Sequence, residues 1–325
     1  MIDIKQLKIS WRRFIYLLLC ASLTAILVVA CSSSNDLNSD KQPSNDCRVV
    51  QHIIGETCIP QNPERVITLH TYHLASSLAL GVRPTASAFV EGFPVSQVLQ
   101  NKVNNVESVG SISNPSLEKI LLLKPDLIIS NSRLENIYPQ LSQIAPTVVL
   151  DLSFPPPSWK KQFQELARIL DREETYEQLM ADYWQRVENL KQALGKRSES
   201  QEVSVAGTGS GAGIWAYGSQ HPAGEILKDL GLQRPPIQRG DFFYLDNISE
   251  EKLSDIDGDV LFLTSWGREE DREIGQKLSQ KPLWQKLKAV QQERVYVVGQ
   301  HWHNAGSILA VNAVLDDLEK YLVNE

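Results

Sequence analysis

Ser116-Leu-Glu118-Lys-Ile120, which continues through Pro125-Asp126-Leu-Ile-Ile129 to Ser132, is the first of two segments built on one template. The second runs Ser249-Glu-Glu251-Lys-Leu253, then Gly258-Asp259-Val-Leu-Phe-Leu263, and ends at Ser265. Ser, Glu, Lys, Asp and Ser hold the same internal positions in both. Each copy has the pattern of a short helix with an acidic first turn, then a turn and a continuous apolar run, which is typical of a strand buried on both faces. Two copies predict two similar α/β lobes.

Strand-like and helix-like stretches alternate around these templates. Apolar runs at 65–69, 127–129 and 147–150 alternate with helical patterns, and residues 201–325 repeat the rhythm. That order predicts Rossmann-like lobes with mostly parallel sheets, and a block with helical spacing after Pro155-Pro-Pro157 predicts a long helical connector. The expected organisation is an N-terminal lobe at 47–155, the connector at 156–195, a C-terminal lobe at 196–325, and a ligand cleft where the carboxyl ends of the strands face one another.

The first 46 residues have the pattern of an export signal followed by a tether. Basic residues precede an apolar stretch over 14–30 that is short for a membrane span and ends in Ala30-Cys31. A small residue before a cysteine at this point is a lipobox, so we expect residues 1–30 to be removed and Cys31 to carry lipid. An uncleaved anchor is the alternative, and Arg12-Arg13 leaves both general and twin-arginine export open. Residues 31–46, rich in Ser, Asn and Asp, predict a flexible tether, which places the body on the extracytoplasmic (periplasmic) face of the bacterial cytoplasmic membrane.

Charge and cysteine content narrow the partners and the compartment. The formal net charge of −7 becomes about −10 when the signal segment, with four cations against Asp3, is removed, which argues against nucleic acid or an anionic membrane surface as partner. The mature body keeps Cys47 and Cys58, and outside the cytosol we expect them to form a disulfide. A tight turn at Ile54-Gly55 would instead pair Cys58 with Gln51, so this bridge requires a wider or bulged loop. A metal pair is the weaker alternative.

Many short runs of this chain, spread from residue 63 to residue 290, share one source of resemblance. The runs are Pro63-Glu-Arg65-Val-Ile, Ala79-Leu-Gly81-Val, Val109-Gly110, Pro115-Ser-Leu-Glu118, Lys124-Pro-Asp126-Leu-Ile-Ile, Ile144-Ala-Pro146-Thr, 227–232 and Pro282-Leu-Trp284-Gln-Lys-Leu-Lys-Ala-Val. Together they resemble the iron–siderophore substrate-binding proteins of ABC importers, which are class III periplasmic binding proteins. The segment Ile128-Ile-Ser130-Asn-Ser-Arg133 is similar to the branch that binds ferric citrate and citrate-derived siderophores. The resemblance implies a monomeric, lipid-anchored receptor that captures a ferric siderophore and delivers it to the permease subunits of an ABC importer. It implies no cofactor, with ferric iron present only inside the siderophore complex.

The iron of a ferric siderophore is already coordinated, so the protein has to bind the oxygen-rich and often anionic outer surface of the complex. Arginine forks and aromatic side chains suit that task. Arg133 stands just past a strand end at the position where the citrate-type branch has an arginine, whereas Ser111-Ile112-Ser113 replaces an arginine that relatives binding neutral hydroxamates often carry. We expect further ligand contacts from side chains that follow strand ends, namely His70, Tyr72, Trp215, Tyr217, Arg239, Trp266, Arg268 and Trp302.

The paired glutamates of the templates have a different expected role. Glu118 and Glu251 lie near the starts of equivalent helices, and the resemblance implies that each docks onto an arginine pocket of one permease subunit. Stabilisation of the helix dipole is the simpler explanation of the same positions, worth about 0.3 to 1 kcal/mol, and it is compatible with docking.

Several alternatives remain open at this point. Cobalamin or haem could occupy the same architecture, and His70, His73, His301 and His303 could suggest a bare-metal site, although no carboxylate nearby completes a ligand set. Gly207-Thr-Gly209-Ser-Gly-Ala212 fits a dinucleotide-binding pattern but runs on into Ile214-Trp-Ala-Tyr217 instead of a helix. A two-lobed envelope enzyme is less favoured, because no nucleophile–base pairing and no G-x-S-x-G elbow are present, and we predict that the chain is not an enzyme.

Overall fold

The computed structural model describes residues 47–209 and 213–324. The predicted signal segment at 1–30, the lipidation site Cys31 and the tether at 31–46 lie outside the described residues. Within those ranges, no helix combines the length and the apolar composition that crossing a membrane requires.

A six-stranded sheet forms the core of the N-terminal lobe, in the order β6-β5-β4-β3-β7-β8. Neighbouring strands are parallel except for the β5–β6 pair, and β3, β7 and β8 are buried along their whole length, as their apolar runs predict. The strands are β3 Val66–Thr68, β4 Ala86–Phe89, β5 Glu107–Ser111, β6 Asn114–Pro115, β7 Leu127–Asn131 and β8 Thr147–Leu150. The helices are α1 Thr71–Ala79, α2 Leu117–Leu122, a 3-10 helix at Ser132–Ile137, and α3 Tyr138–Ile144.

A five-stranded sheet in the order β11-β10-β9-β12-β13 forms the C-terminal lobe. The strands β9, β12 and β13 are parallel, whereas β10 is antiparallel to both of its neighbours. The strands are β9 Val203–Gly209, β10 Gly213–Tyr217, β11 Tyr244–Ile248, β12 Val260–Thr264 and β13 Val295–Val298. The principal helices are α4 Trp159–Leu170 and α5 Glu173–Leu194 of the connector, α6 Arg197–Ser200, α7 Pro222–Asp229, α8 Glu269–Ser279, α9 Lys288–Gln291, α10 Gln300–His303 and α11 Ile308–Leu322, and three 3-10 helices span Pro236–Gln238, Glu250–Ile256 and Trp284–Lys286.

The connector made of α4 and α5 packs against both lobes. One continuous cluster of buried side chains runs from β3, β7 and β8 through the connector to β9, β12 and α11. Polar contacts add to this packing, because Lys160 Nζ lies 2.6 Å from Asp229 and 3.5 Å from Glu225 on α7. Arg186 of α5 forms an ion pair with Asp316 of α11. The connector is therefore part of a core that the two lobes share.

The two templates fold into equivalent units, and their shared aspartates show why. The Asp126 carboxylate accepts a hydrogen bond of 2.9 Å from the backbone amide of Arg65, just before β3. The Asp259 carboxylate accepts a hydrogen bond of 2.7 Å from the backbone amide of Glu202, just before β9. In each lobe the carboxylate at the start of the template strand therefore fixes the start of the neighbouring parallel strand. This shared constraint accounts for the same residue at the same template position.

A hairpin of β1 Cys47–His52 and β2 Gly55–Pro60 precedes the N-terminal sheet. Its turn is Ile53-Ile54, one residue earlier than the predicted Ile54-Gly55, so Cys58 lies opposite Val49 and not opposite Gln51. Cys47 is then the diagonal neighbour of Cys58 on the same face of the hairpin, and a disulfide joins them across a Cα–Cα distance of 5.6 Å. The expectation of a wider or bulged loop was wrong, because the diagonal geometry makes it unnecessary.

Candidate ligand cleft

The carboxyl ends of the strands in both lobes face a common cleft. Tyr72 of α1 and Phe93 after β4 line it from the N-terminal lobe, while Trp266 after β12 and Asn304 after α10 line it from the other lobe. The enclosed space measures about 50 Å³, because side chains of the two lobes touch: the Phe93 and Trp266 ring centroids are 4.8 Å apart. No aspartate or glutamate is among the described residues that line this space. The cleft surface is aromatic, amide-bearing and free of carboxylates.

His70 and Tyr72 form the N-terminal wall because α1 begins directly after β3. The His70 ring caps this helix: its Nδ1 accepts the Tyr72 amide at 3.2 Å, so a neutral ring carries its proton on Nε2. Burial, with smaller contributions from His73 and Arg133, holds the pKa of His70 well below its ordinary value. Burial also raises the pKa of Tyr72 to about 12, which Arg133 opposes. The charge of Arg133 thus acts on both groups.

Arg133 is an exposed cation that follows the carboxyl end of β7. Its Nε donates to the Leu152 carbonyl at 2.9 Å, and its backbone amide donates to Asn131 Oδ1, so the base of the side chain is fixed. The Nη groups make no hydrogen bond or ion pair with the residues that the structure describes. A planar pair of charged donors therefore remains available for a carboxylate or another anionic oxygen.

Trp215 of β10 is buried in the C-terminal lobe near His303, whose ring contacts the cleft residue Trp266. It lies directly opposite Gly207 of β9 in the antiparallel register, and its indole covers both Gly207 and Gly209. A Cβ at Gly207 would lie 2.2 Å from the indole, so only glycine leaves room for the ring. The glycines that fit a dinucleotide pattern thus have a packing role in the described part of that motif.

Tyr217 and His303 lie close to Trp215. The Tyr217 ring is fully buried, and its hydroxyl lies 2.5 Å from His303 Nδ1 and 3.2 Å from Thr264 Oγ1. The His303 ring lies 3.7 Å from the Trp266 ring, and burial lowers its pKa to about 3. The histidine is therefore neutral and joins the predicted residues Tyr217 and Trp266. His303 follows a strand end in the sequence and is one of the histidines of the possible metal site, but it was not among the predicted ligand contacts.

Arg268 contacts the opposite lobe but is already neutralised. Its guanidinium lies 3.0 Å from the buried Asp271 carboxylate and 4.8 Å from the centre of the Phe93 ring. It therefore closes the cleft by a cation–π contact between the lobes. Phe93 was not identified from the sequence, and the signal that could have found it was an aromatic residue shortly after the end of β4.

Two predicted ligand contacts lie away from the others. Trp302 is fully buried, stacks on Phe262 at 4.6 Å and donates its Nε1 proton to Asp317 at 2.8 Å, so no face is left for a ligand. Arg239 is exposed and forms an ion pair with Glu202, which precedes β9 and so lies at the amino end of that strand. The structure brings neither side chain to the cleft.

The histidines do not assemble a metal site. His301 Nε2 lies 2.7 Å from Asp317, whereas His303 bonds to Tyr217, so their rings serve different partners. Across residues 47–209 and 213–324, no three His, Cys, Asp or Glu side chains come together as metal ligands.

Glu118 and Glu251 lie in the helical segments of the two templates, α2 and the 3-10 helix Glu250–Ile256, and we call these two segments the tips of the N-terminal and C-terminal lobes. Glu118 is in the first turn of α2 and Glu251 in the first turn of the 3-10 helix Glu250–Ile256, and both are exposed. Neither carboxylate forms an ion pair or hydrogen bond with a described residue, although the neighbouring Glu250 pairs with Lys281 at 3.0 Å.

Comparison with known proteins agrees with this architecture. Residues 66–301 match the family described as periplasmic binding protein. Among relatives, the probable siderophore-binding lipoprotein YfiY of Bacillus subtilis is 34% identical over 93% of this chain and 96% of its own. The Fe(3+)-citrate-binding protein YfmC of the same organism is 33% identical over 84% and 85% of the two chains. The crystal structure of Staphylococcus aureus SirA complexed with staphyloferrin B superposes with a TM-score of 0.73 at 26% identity, covering 85% of this chain and 98% of that one. The chain belongs to the periplasmic binding protein family.

Proposed function

We propose that this protein is a monomeric, lipid-anchored substrate-binding protein that captures a citrate-type ferric siderophore and delivers it to an ABC importer. The observation that carries the proposal is the combination of an uncommitted Arg133 fork with an aromatic cleft that has no carboxylate in its described lining. An anionic complex whose outer surface carries carboxylate oxygens satisfies such a site. The relatives named for siderophore and ferric citrate binding support the same ligand class.

Fluorescence titration tests this ligand class directly, because Trp266 lines the cleft and buried Trp215 lies near it, with His303 close to both rings. The purified body is titrated with ferric citrate, ferric schizokinen, ferric aerobactin and ferrichrome, and with cobalamin and haemin as the alternatives. Quenching that saturates with a carboxylate-bearing ferric complex supports the proposal. Quenching that saturates only with cobalamin or only with haemin would contradict the proposal and identify that compound as the ligand instead.

Substitution of Arg133 provides the matched test at the level of one side chain. We expect Arg133→Ala to weaken the carboxylate-bearing complex by about 1.5 to 3 kcal/mol, roughly tenfold to 150-fold, since a hydrogen bond to a charged group is lost. Arg239→Ala removes another exposed arginine, which pairs with Glu202 at the amino end of β9 and lies away from the cleft, and it should leave the affinity unchanged. Equal affinities of the wild type and Arg133→Ala in calorimetry would remove Arg133 from the site.

Delivery requires attachment to the membrane and contact with the permease. For attachment, we expect Cys31→Ser to release the protein from the membrane fraction or to stall its processing, while ligand binding by the purified body is retained. Mature protein that stays on the membrane would contradict lipidation at this residue.

For the permease contact, we propose that Glu118 and Glu251 each pair with a basic group of one permease subunit. Glu118→Ala and Glu251→Ala should lower iron uptake by cells, and the double variant should lower it further, because each lobe engages its own subunit. Melting temperature and ligand affinity should hardly change, since exposed charges contribute little to stability. Glu177→Ala, an exposed glutamate of the connector, is the control. Normal uptake by the double variant would contradict the docking role and leave both glutamates only as stabilisers of the helix dipole.

A further inference from the structure

The tip of the N-terminal lobe exposes two adjacent leucines. Leu121 is 58% exposed and Leu122 is 72% exposed, in the last turn of the helix α2 that begins with Glu118 in its first turn. Large apolar side chains this open to solvent on a helix end are a cost unless a partner covers them.

The C-terminal lobe supplies an internal control for this observation. At the equivalent template positions, Ile120 and Leu253 are both buried, so the fold requires an apolar residue there. Leu121 and Leu122 correspond by contrast to Ser254 and Asp255 of the second template. The same structural unit thus folds with polar residues at these two positions, and the leucines are not explained by packing.

The leucines and Glu118 form one surface. Residues three and four apart on a helix are neighbours, with Cβ atoms about 5 to 6 Å apart, so Leu121 and Leu122 both lie beside Glu118. The N-terminal tip therefore presents a carboxylate flanked by apolar side chains. At the other tip, Glu251 is accompanied by Ser254 and Asp255, which makes a polar and more acidic surface.

We propose that Leu121 and Leu122 are docking residues that fit an apolar depression beside a basic group on one permease subunit, so that the protein docks in a single orientation. The inference rests on the proposed docking role of Glu118, whose surface the leucines continue. The occupant is the permease because the apolar pair is contiguous with the carboxylate that contacts it. The polar C-terminal tip fits a subunit surface with more basic and fewer apolar groups.

The test exchanges the tip residues between lobes. The double variant Leu121→Ser/Leu122→Asp carries the residues of the second template, and the reverse variant is Ser254→Leu/Asp255→Leu. Uptake of radiolabelled iron is measured in cells of the source organism that express each variant at the same level. The iron is supplied as ferric citrate, ferric schizokinen or ferric aerobactin, whichever binds most tightly in the titrations. Val297→Ser removes an apolar side chain of similar exposure from the edge strand β13 and serves as the control.

We expect Leu121→Ser/Leu122→Asp to lower uptake about tenfold or more at limiting protein, because two buried leucines contribute at least that factor to an interface. Ligand affinity and melting temperature should stay at wild-type values, and Val297→Ser should transport normally. The reverse variant should also lower uptake, since its apolar tip meets a polar surface. A photocrosslinking side chain at position 122 should attach to a permease subunit in the same cells.

The outcomes separate this inference from the function it rests on. If Glu118→Ala lowers uptake while Leu121→Ser/Leu122→Asp transports normally, the apolar contact is wrong and delivery through the glutamates stands. If both variants transport normally, docking through this tip fails altogether. If position 122 crosslinks to other proteins and to no permease subunit, the permease is not the partner of the leucines.

Discussion

The contact between Gly207 and Trp215 gives the sharpest prediction from coordinates alone. In Gly207→Ala the new Cβ would meet indole atoms of Trp215 at 2.2 to 2.4 Å, where ordinary contacts begin a full ångström further out. The two residues are directly opposed in the β9–β10 ladder, so the backbone cannot move apart without breaking its hydrogen bonds. The indole therefore has to leave its position against the sheet.

The expected cost follows from that displacement. Forcing extra atoms into a well-packed site costs about 1 to 3 kcal/mol, and Trp215 is only 6% exposed, so a displaced ring also gives up buried area. For a chain of this size, about 2 °C of melting temperature is lost for each kcal/mol, which predicts a fall of a few degrees. Because the indole lies near the cleft residue Trp266, with His303 close to both rings, ligand affinity should fall with stability.

Urea unfolding followed by circular dichroism measures the effect, together with tryptophan emission in the folded state. Gly275→Ala is the control, since a Cβ there meets no atom within 4 Å inside helix α8, and it should be neutral or stabilising by up to about 1 kcal/mol. In a double-mutant cycle, Trp215→Leu should abolish most of the penalty of Gly207→Ala. A Gly207→Ala variant with wild-type stability and emission, or a cycle without coupling, would refute the reasoning.

Three further variants test buried side chains and the disulfide. Burial lowers the pKa of His73 to about 3 from an ordinary value of 6.5, so the folded state loses stability as the pH falls below about 6.5, by roughly 2 kcal/mol at pH 5. His73→Leu should therefore reduce the difference in unfolding free energy between pH 7.5 and pH 5.0, measured by urea titration. An unchanged difference would contradict this prediction. Replacing Cys47 and Cys58 by serine should cost about 3 kcal/mol, the chain-entropy value for so short a loop, and equal urea midpoints of the variant and the oxidised wild type would exclude it. Tyr217→Phe should cost about 1 to 3 kcal/mol because buried His303 loses its partner, and a stability within 0.5 kcal/mol of wild type would show that water replaces it.

The sequence predicted the features that depend on short-range pattern. The paired templates, the parallel strands and the final helix follow from apolar spacing, and the structure contains them with small shifts in their ends. Helix α1 begins at Thr71 because the His70 side chain caps it, and such a cap depends on a ring orientation that apolar spacing does not show.

The site was less predictable because position after a strand does not determine the direction of a side chain. Trp302 follows β13, as expected of a cleft residue, but its short helix α10 turns the indole into the core against Phe262. Phe93 reaches the cleft from a loop without periodicity, so only its place shortly after the end of β4 could have marked it. Arg239 has a charge partner, Glu202, that is distant in sequence and could not be matched to it before the fold was known.

The core shared by the two lobes and the connector has a consequence for how the chain can be divided. Trp159 and Phe163 of α4 belong to the same buried cluster as Val66 of β3 and Val203 of β9. Cutting the chain at the connector would expose apolar surface on both fragments, so neither lobe should fold as an isolated piece. Residues 47–324 should then unfold in a single cooperative thermal transition. A chimera that combines lobes of two relatives would need a connector whose buried side chains match the surfaces of both lobes.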